Sequence, residues 1–184
     1  MATLNTLAKH DDYMTPFYAW DNIKQFLPKD KVIWEAFYGN GKSGEYLEQL
    51  GHKVIHENID FFENDKGDYI VSNPPFSLAK KVMPRLKKLN KPFVLIMPVS
   101  KMNTVYMREN FMNELQVIIP PKRINFDKMV NGEIVETKGA NFDCYYYCYK
   151  MNLPKDMVWL PYEKPIEKKK KIKIRVNKKI EVEQ

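Results

Sequence analysis

The sequence is poor in the residues that staple a fold or coordinate a metal. Its 184 residues include two cysteines, Cys144 and Cys148, and three histidines, His10, His52 and His56. Two cysteines in one short segment make no disulfide framework, and a zinc site needs two further ligands at suitable spacing, which the histidines do not supply. No metal is expected. In a strand-like run the spacing of the two cysteines puts both on one face, where they read as small apolar core residues. No apolar run reaches the roughly 18 residues of a membrane span, so no membrane partner is expected. The opening residues, MATLNTLAKHDDYMTP, have no apolar core and no cleavage-like site, which predicts an intracellular protein, cytoplasmic or nuclear, rather than a secreted one. Internal repeats and low-complexity linkers are also missing ahead of the C-terminal tail.

What is present is enough for one domain with a real core: 184 residues, 44% of them hydrophobic and 13% aromatic. The formal net charge is +7, and it is unevenly spread. Residues 163–184 hold nine Lys/Arg against four Glu, hence +5, while the other 162 residues hold 21 basic and 19 acidic, hence +2. The expected organisation is a domain over residues 1–162 followed by a basic tail over 163–184. Such a tail is a solvated end, a polyanion-binding arm or an import-like signal, and its alternating IKIRV could add an edge strand.

Strand and helix patterns alternate, which argues for a parallel α/β sheet. Helices are expected over 16–27, with Thr15 as N-cap and Pro16 in the first turn, over 43–50, stopped by Gly51, over 77–89, capped by Ser77 and interrupted by Pro84, and over 103–115. Strands are expected over 31–35, 53–56, 69–72, 93–97, 116–119 and 142–150, with a short element at Asp60–Phe62 and a polar excursion over 127–140. The run FVLIMP is apolar throughout, as a strand covered on both faces should be.

The stretch EAFYGNGKSG, residues 35–44, ends like a phosphate-binding loop. That loop requires glycine at 36, where Ala36 stands, and it would have to accommodate Phe37 and Tyr38 in a turn whose amides face phosphate. The apolar strands that might end in a metal-holding Asp end instead in Asn73 and Pro98. The other reading makes Gly39 and Gly41 a turn that lets backbone approach a nucleoside cofactor. Glu57, which follows the second strand 16 residues beyond Gly41, then stands where an acid binds ribose hydroxyls.

The segment DYIVSNPPF carries the most chemistry. An apolar strand ends in Asn73-Pro74-Pro75-Phe76, and strand carboxyl ends face the ligand crevice of an open α/β sheet. Two prolines fix the backbone and remove two N–H donors. The turn offers an Asn side-chain oxygen, a Pro74 carbonyl and an aromatic ring, which together can hold both N–H bonds of an exocyclic amine and stack on its base. Asn-Pro alone marks many turns; the second proline and Phe76 are what a simple turn leaves unexplained.

With these residues in order, the chain resembles the class I S-adenosylmethionine-dependent amino-methyltransferases that modify adenine N6 in DNA or RNA, whose signature [DNS]-P-P-[FYW] is matched by NPPF. DDYMTP (11–16) is similar to the family's N-terminal cofactor motif through Tyr13, Thr15 and Pro16. EAFYGNG is similar to its D-x-F-x-G-x-G loop through Phe37, Gly39 and Gly41, with Glu35 in place of Asp. FVLIMP resembles the strand before the post-catalytic loop, and IIPPKRINF (118–126) the segment lining the target-base pocket. The resemblance spans residues 11–150 and implies a Rossmann-like fold: a mostly parallel seven-stranded sheet, an antiparallel last strand, and helices on both faces.

The resemblance also implies S-adenosylmethionine as cofactor and in-line methyl transfer to N6, with Asn73 and the Pro74 carbonyl orienting the amine and Phe76 stacking on the base. Glu57 would hold the ribose, and Asp60 and Phe61 would flank the cofactor adenine. Lys122 and Arg123 are either phosphate contacts or a solvated basic pair, and Phe126 either a second stacking wall or core. No target-recognition domain is recognisable, so recognition would fall to a partner subunit, a homo-oligomer or nucleic-acid shape. Two alternatives stand beside it: methylation of a protein glutamine amide, by enzymes that carry a close variant of NPPF, and a non-catalytic nucleic-acid-binding or partner subunit on the same fold.

Overall fold

The computed structural model describes residues 13–130, 133–135 and 142–162. The tail over 163–184, His10, Asp11 and Asp12 lie outside the described residues. Ten strands and four α-helices appear among them. The chain enters through β1 (Tyr13–Met14) and α1 (Phe17–Asp21), then β2 (Val32–Trp34), α2 (Lys42–Gln49), β3 (Lys53–Ile55), β4 (Tyr69–Ser72), α3 (Ala79–Leu89), β5 (Phe93–Pro98), α4 (Val105–Phe111) and β6 (Leu115–Ile119). It continues through β7 (Asp127–Val130), β8 (Glu133–Val135), β9 (Cys144–Tyr149) and β10 (Met157–Trp159).

Seven strands form one sheet in the order β10-β6-β9-β5-β4-β2-β3. β2, β3, β4 and β5 run parallel, while β9 is antiparallel to both β5 and β6. The mostly parallel seven-stranded sheet and the antiparallel strand at 144–149 are thus as expected, except that this strand is not the last, because β10 follows it. The membership differs in one place. Asp60–Phe62 is a turn, not a strand, and the seventh place is taken at the opposite edge by β10, parallel to β6. Asp60 is the reason: its Oδ1 accepts the Phe62 amide at 2.7 Å and its carbonyl accepts the Asn64 side-chain amide at 2.8 Å, which closes a turn.

From β2 the chain crosses through α2 to β3 at one edge; from β4 it crosses through α3 to β5 in the other direction. Parallel crossovers are right-handed, so opposite directions put α2 and α3 on opposite faces. α1 packs with α2, and α3 with α4. Between them the sheet is fully covered at β5, all six of whose residues are buried.

Helix ends depart from the sequence pattern where side chains must be buried. The expected helix over 16–27 stops at Asp21 and resumes as a 3-10 turn at Lys24–Phe26, which lets Ile23 and Leu27 both reach the core. Pro16, not Thr15, is the N-cap residue, with extended backbone. α3 starts at Ala79 after a 3-10 turn from Phe76 to Leu78, so Ser77 does not cap it. Pro84 lies inside α3 without dividing it. Both Pro84 and Lys80, whose carbonyl it leaves without an amide, are exposed, so water can satisfy that group. The excursion contains the β7–β8 hairpin, and β1 pairs with β7.

Cys144 and Cys148 are buried and unbridged in β9, as core residues should be, and burial pushes both thiols up to about 12. No helix is long and apolar enough to cross a membrane, and no cluster of metal-ligating side chains occurs, among the described residues. Tyr146 ties β9 to the entry segment: its buried hydroxyl donates to the Ala19 carbonyl of α1 at 2.7 Å. Tyr146→Phe leaves that carbonyl without its partner and should cost about 1–3 kcal/mol, read as a lower urea midpoint with an unchanged slope.

Candidate active site

The winding reverses between β2 and β4, and both strands are parallel, so their carboxyl ends flank one crevice. β2 delivers Glu35 and the glycine turn to it; β4 delivers Asn73 to Phe76. The two ends are joined by a buried contact in which the Ser72 hydroxyl donates to Glu35 Oε1. Glu35 is 1% exposed, and its Oε2 has no hydrogen-bond partner among the described residues. Burial pushes its carboxyl up to about 7, against the opposing pull of the hydrogen bonds from Ser72 and the Phe37 amide.

Asn73 donates its side-chain amide to the Tyr13 carbonyl at 3.2 Å, and its Oδ1 is buried without a partner among the described residues. Thr15 Oγ1 is likewise buried and unpartnered among the described residues, because Thr15 does not cap α1. Three elements thus each bring a buried, unsatisfied oxygen to this end of the sheet. Five other buried polar atoms lack partners among the described residues, but these three are oxygens gathered at one crevice, where water or a polar ligand can satisfy them together.

The glycine turn adopts the backbone that the sequence suggests. Gly39 and Gly41 have φ of +56° and +81°, the left-handed region glycine enters at no steric cost. Gly41 caps α2, and a Cβ there would also stand 2.9 Å from the Tyr38 hydroxyl. Lys42 does not face a phosphate site; its Nζ pairs with Glu45 at 2.6 Å. Gly44 is a residue the sequence reading passed over. A Cβ there would lie 2.2 Å from the His56 ring, so α2 packs on the end of β3 only because position 44 is glycine. The signal was available: Gly39, Gly41 and Gly44 complete G-x-G-x-x-G, whose third glycine permits close helix–strand packing.

The acids and rings separate into a rim and a floor. Glu57 follows β3 and is exposed, whereas Asp60 is engaged in its turn. Phe61 is 2% exposed, with its ring 4.7 Å from Phe37 and 5.6 Å from Trp34 between centroids. Phe37 and Phe61 therefore form apolar floor beneath the glycine turn. On the other side Tyr13, Phe76, Phe126 and Phe142 pack as one aromatic cluster, Phe76 stacking on Tyr13 at 6.2 Å and 25°. A third ring between two stacked rings needs about 7 Å, so a base reaches the face of Phe76 that Tyr13 covers only if Tyr13 moves aside. Phe126 is fully buried behind these rings. Arg123 is ion-paired with Asp143 at 2.6 Å, and Lys122 is exposed, its Nζ 5.9 Å from the centre of the Tyr162 ring. A cavity of about 500 Å³ beside them is lined by Tyr18, Asn22, Lys122, Arg123 and Asn125 among others.

Glu35 makes stability depend on pH. Its folded-state value near 7 lies above the ordinary 4.5, so the folded protein holds the proton more tightly. That stabilisation is full below pH 4.5 and is lost as pH rises through 7. Up to about 3 kcal/mol is at stake. Glu35→Gln should remove this fall, read as a flatter profile of unfolding free energy against pH than the wild type's over that window. A second expectation concerns packing: Gly44→Ala forces the His56 ring or α2 to shift and should lower stability by about 1–3 kcal/mol, measured by thermal or urea unfolding.

No family model and no curated protein matches the chain. Among solved structures it is similar to the precorrin-6y C5,15-methyltransferase of Geobacter metallireducens GS-15, at 10% identity and a TM-score of 0.46 over 80% of this chain and 98% of that one. It is also similar to the tRNA (m1A58) methyltransferase of Aquifex aeolicus, at 13% identity and 0.40, over 78% of this chain and 72% of that one. A dimethyladenosine transferase of Plasmodium falciparum aligns at 10% identity and 0.41, over 74% of this chain and 62% of that one.

Proposed function

We propose that the chain is a methyltransferase that uses S-adenosylmethionine to methylate the exocyclic N6 of adenine in DNA or RNA. The observation that carries this reading is Asn73: a side-chain oxygen buried without a partner among the described residues at the carboxyl end of β4, fixed by two prolines and anchored through its own amide to the Tyr13 carbonyl. An acceptor so held suits an amine that must present its lone pair in one direction.

The residues opposite fit the methyl donor. Glu35 Oε2 offers a buried acceptor able to take a cationic or N–H group, Glu57 an exposed carboxylate for ribose hydroxyls, and Gly39 and Gly41 a backbone that a ligand can approach closely. Thr15 adds a hydroxyl, and Phe37 and Phe61 an apolar floor. S-adenosylmethionine, when bound, supplies a methyl group on a sulfonium centre. The protein's part is positioning and electrostatics. Asn73 Oδ1 and the Pro74 carbonyl accept the two amine N–H bonds, which localises the nitrogen lone pair. Phe76, with Tyr13 displaced, supports the base, which enters single-stranded or flipped. No general base is required for the transfer itself, because the amine proton can leave to water afterwards.

Purified protein incubated with donor labelled in the methyl group, and with DNA or RNA, should transfer label to one of the polymers. Asn73→Ala should reduce transfer by at least about a hundredfold, on the scale of losing one preorganised polar contact to the reacting group, while calorimetric affinity for the donor stays within a few-fold. Transfer to neither polymer by wild-type protein that binds the donor would sink the proposal. Undiminished transfer by Asn73→Ala would sink the role given to that residue.

A further inference from the structure

The charge of the chain changes sign at the NPPF turn. Residues 43–68 carry seven acidic and two basic side chains, hence −5; residues 69–76 carry none; residues 77–108 carry eight basic and no acidic, hence +8. The fold turns this change along the chain into two sides of one crevice. The acidic stretch covers α2, β3 and the loop to β4, on the side of the glycine turn. The basic stretch covers α3, β5 and the start of α4, on the side of Asn73.

Several of the cations on the basic side are already neutralised. Lys87 pairs with Glu114 at 2.5 Å, Lys91 with Asp65, and Arg123 with Asp143. Lys80, Lys81, Lys101 and Lys122 have no carboxylate within ion-pair distance among the described residues. These four also share a place in the fold. Lys80 and Lys81 are exposed in the first turn of α3, where side chains lean back towards the helix N-terminus and hence towards the strand ends. Lys101 closes the turn Val99–Lys101 directly after β5. Lys122 follows β6 and lines the 500 Å³ cavity. β4, β5 and β6 are mutually parallel, with β9 between the last two, so all four lysines stand along the carboxyl-end rim that contains Asn73. Three strand spacings separate β4 from β6, ~14 Å, the length of about four stacked phosphates at 3.4 Å each.

We infer that Lys80, Lys81, Lys101 and Lys122 form a phosphate track that carries one nucleic-acid strand along this rim and past Asn73. The inference rests on the proposed activity for its choice of polymer and names the surface that activity would use. Arg123, tied to Asp143, is not part of the track. Four phosphates neutralised on a single strand release counterions and steepen the dependence of log affinity on log salt by about 3.

The test uses the full chain and fluorescently labelled single-stranded DNA and RNA oligonucleotides of one sequence, with affinity read by anisotropy from about 50 to about 200 mM salt. The variant Lys80→Gln/Lys81→Gln/Lys101→Gln/Lys122→Gln should bind more than tenfold more weakly at the lower salt and lose about 3 from the slope. Lys53→Gln/Lys66→Gln, on the acidic side, should leave both unchanged. Lys80→Glu/Lys81→Glu alone should weaken binding further than the corresponding Gln pair. A wild-type slope in the fourfold variant overturns the track, as does an equal loss in the Lys53/Lys66 control. Donor affinity, measured by calorimetry on every variant, separates the two claims. If the wild type shows the track but transfers no methyl group, the proposed activity fails and the track stands; if transfer occurs and the slope ignores the four lysines, the track fails and the activity stands.

Discussion

The site depends on one buried contact, the hydrogen bond from Ser72 to Glu35 that joins the ends of β2 and β4. These neighbouring strands send the chain in opposite directions, so the sheet opens into a crevice between them. Ser72 is the residue before Asn73, and Glu35 opens the segment that leads to Gly39 and Gly41. Whatever fixes that pair fixes the distance between the two halves of the site. A carboxyl group buried at this point is costly, and its elevated proton affinity shows the cost. A carboxyl group in the apolar interior with one oxygen satisfied and one not is a poor choice for stability alone, and a sound one where a ligand completes its hydrogen bonding.

Around that contact the crevice has two chemically different sides. The side built by α2 and β3 presents carboxylates, backbone made approachable by glycine, and an apolar floor. The side built after β4 presents an oriented acceptor, an aromatic cluster and lysines. Under the proposed activity, a cationic, hydroxyl-rich donor and an anionic polymer would place opposite demands on a surface, and the two sides of this crevice answer one demand each. Tyr13 braces the second side: its carbonyl holds the Asn73 amide and its ring covers Phe76.

Much of this was legible in the sequence, for physical reasons. FVLIMP reads as a covered strand because both faces of β5 are buried. NPPF reads as a fixed polar turn because proline leaves the backbone few alternatives. Gly39 and Gly41 declare themselves because few other residues adopt their φ. Other features carried no comparable signal. β1, β7, β8 and β10 have two to four residues each, too few for a period to emerge, and their existence depends on partners elsewhere in the chain. Asp60–Phe62 has strand-like aromatics, but the Asp60 side chain closes a turn first. Thr15 and Ser77 look like helix caps, yet each helix begins later, after residues whose burial is decided by tertiary packing. Gly44 is legible through its spacing from Gly39 and Gly41, whereas the close approach of His56 that requires it depends on the tertiary fold. The ion pair that occupies Arg123 could not be read at all, since Asp143 lies 20 residues away.

The central claim is that the unsatisfied oxygen of Asn73 exists to hold an adenine amine. Its most direct test is nucleoside mass spectrometry of DNA and RNA from cells expressing either the wild-type chain or Asn73→Ala at matched levels. The account predicts N6-methyladenine above background in one of the two polymers with the wild type, and background levels in both with the variant. N6-methyladenine at equal levels in both cultures, or a methylated nucleoside other than N6-methyladenine that requires Asn73, would contradict it.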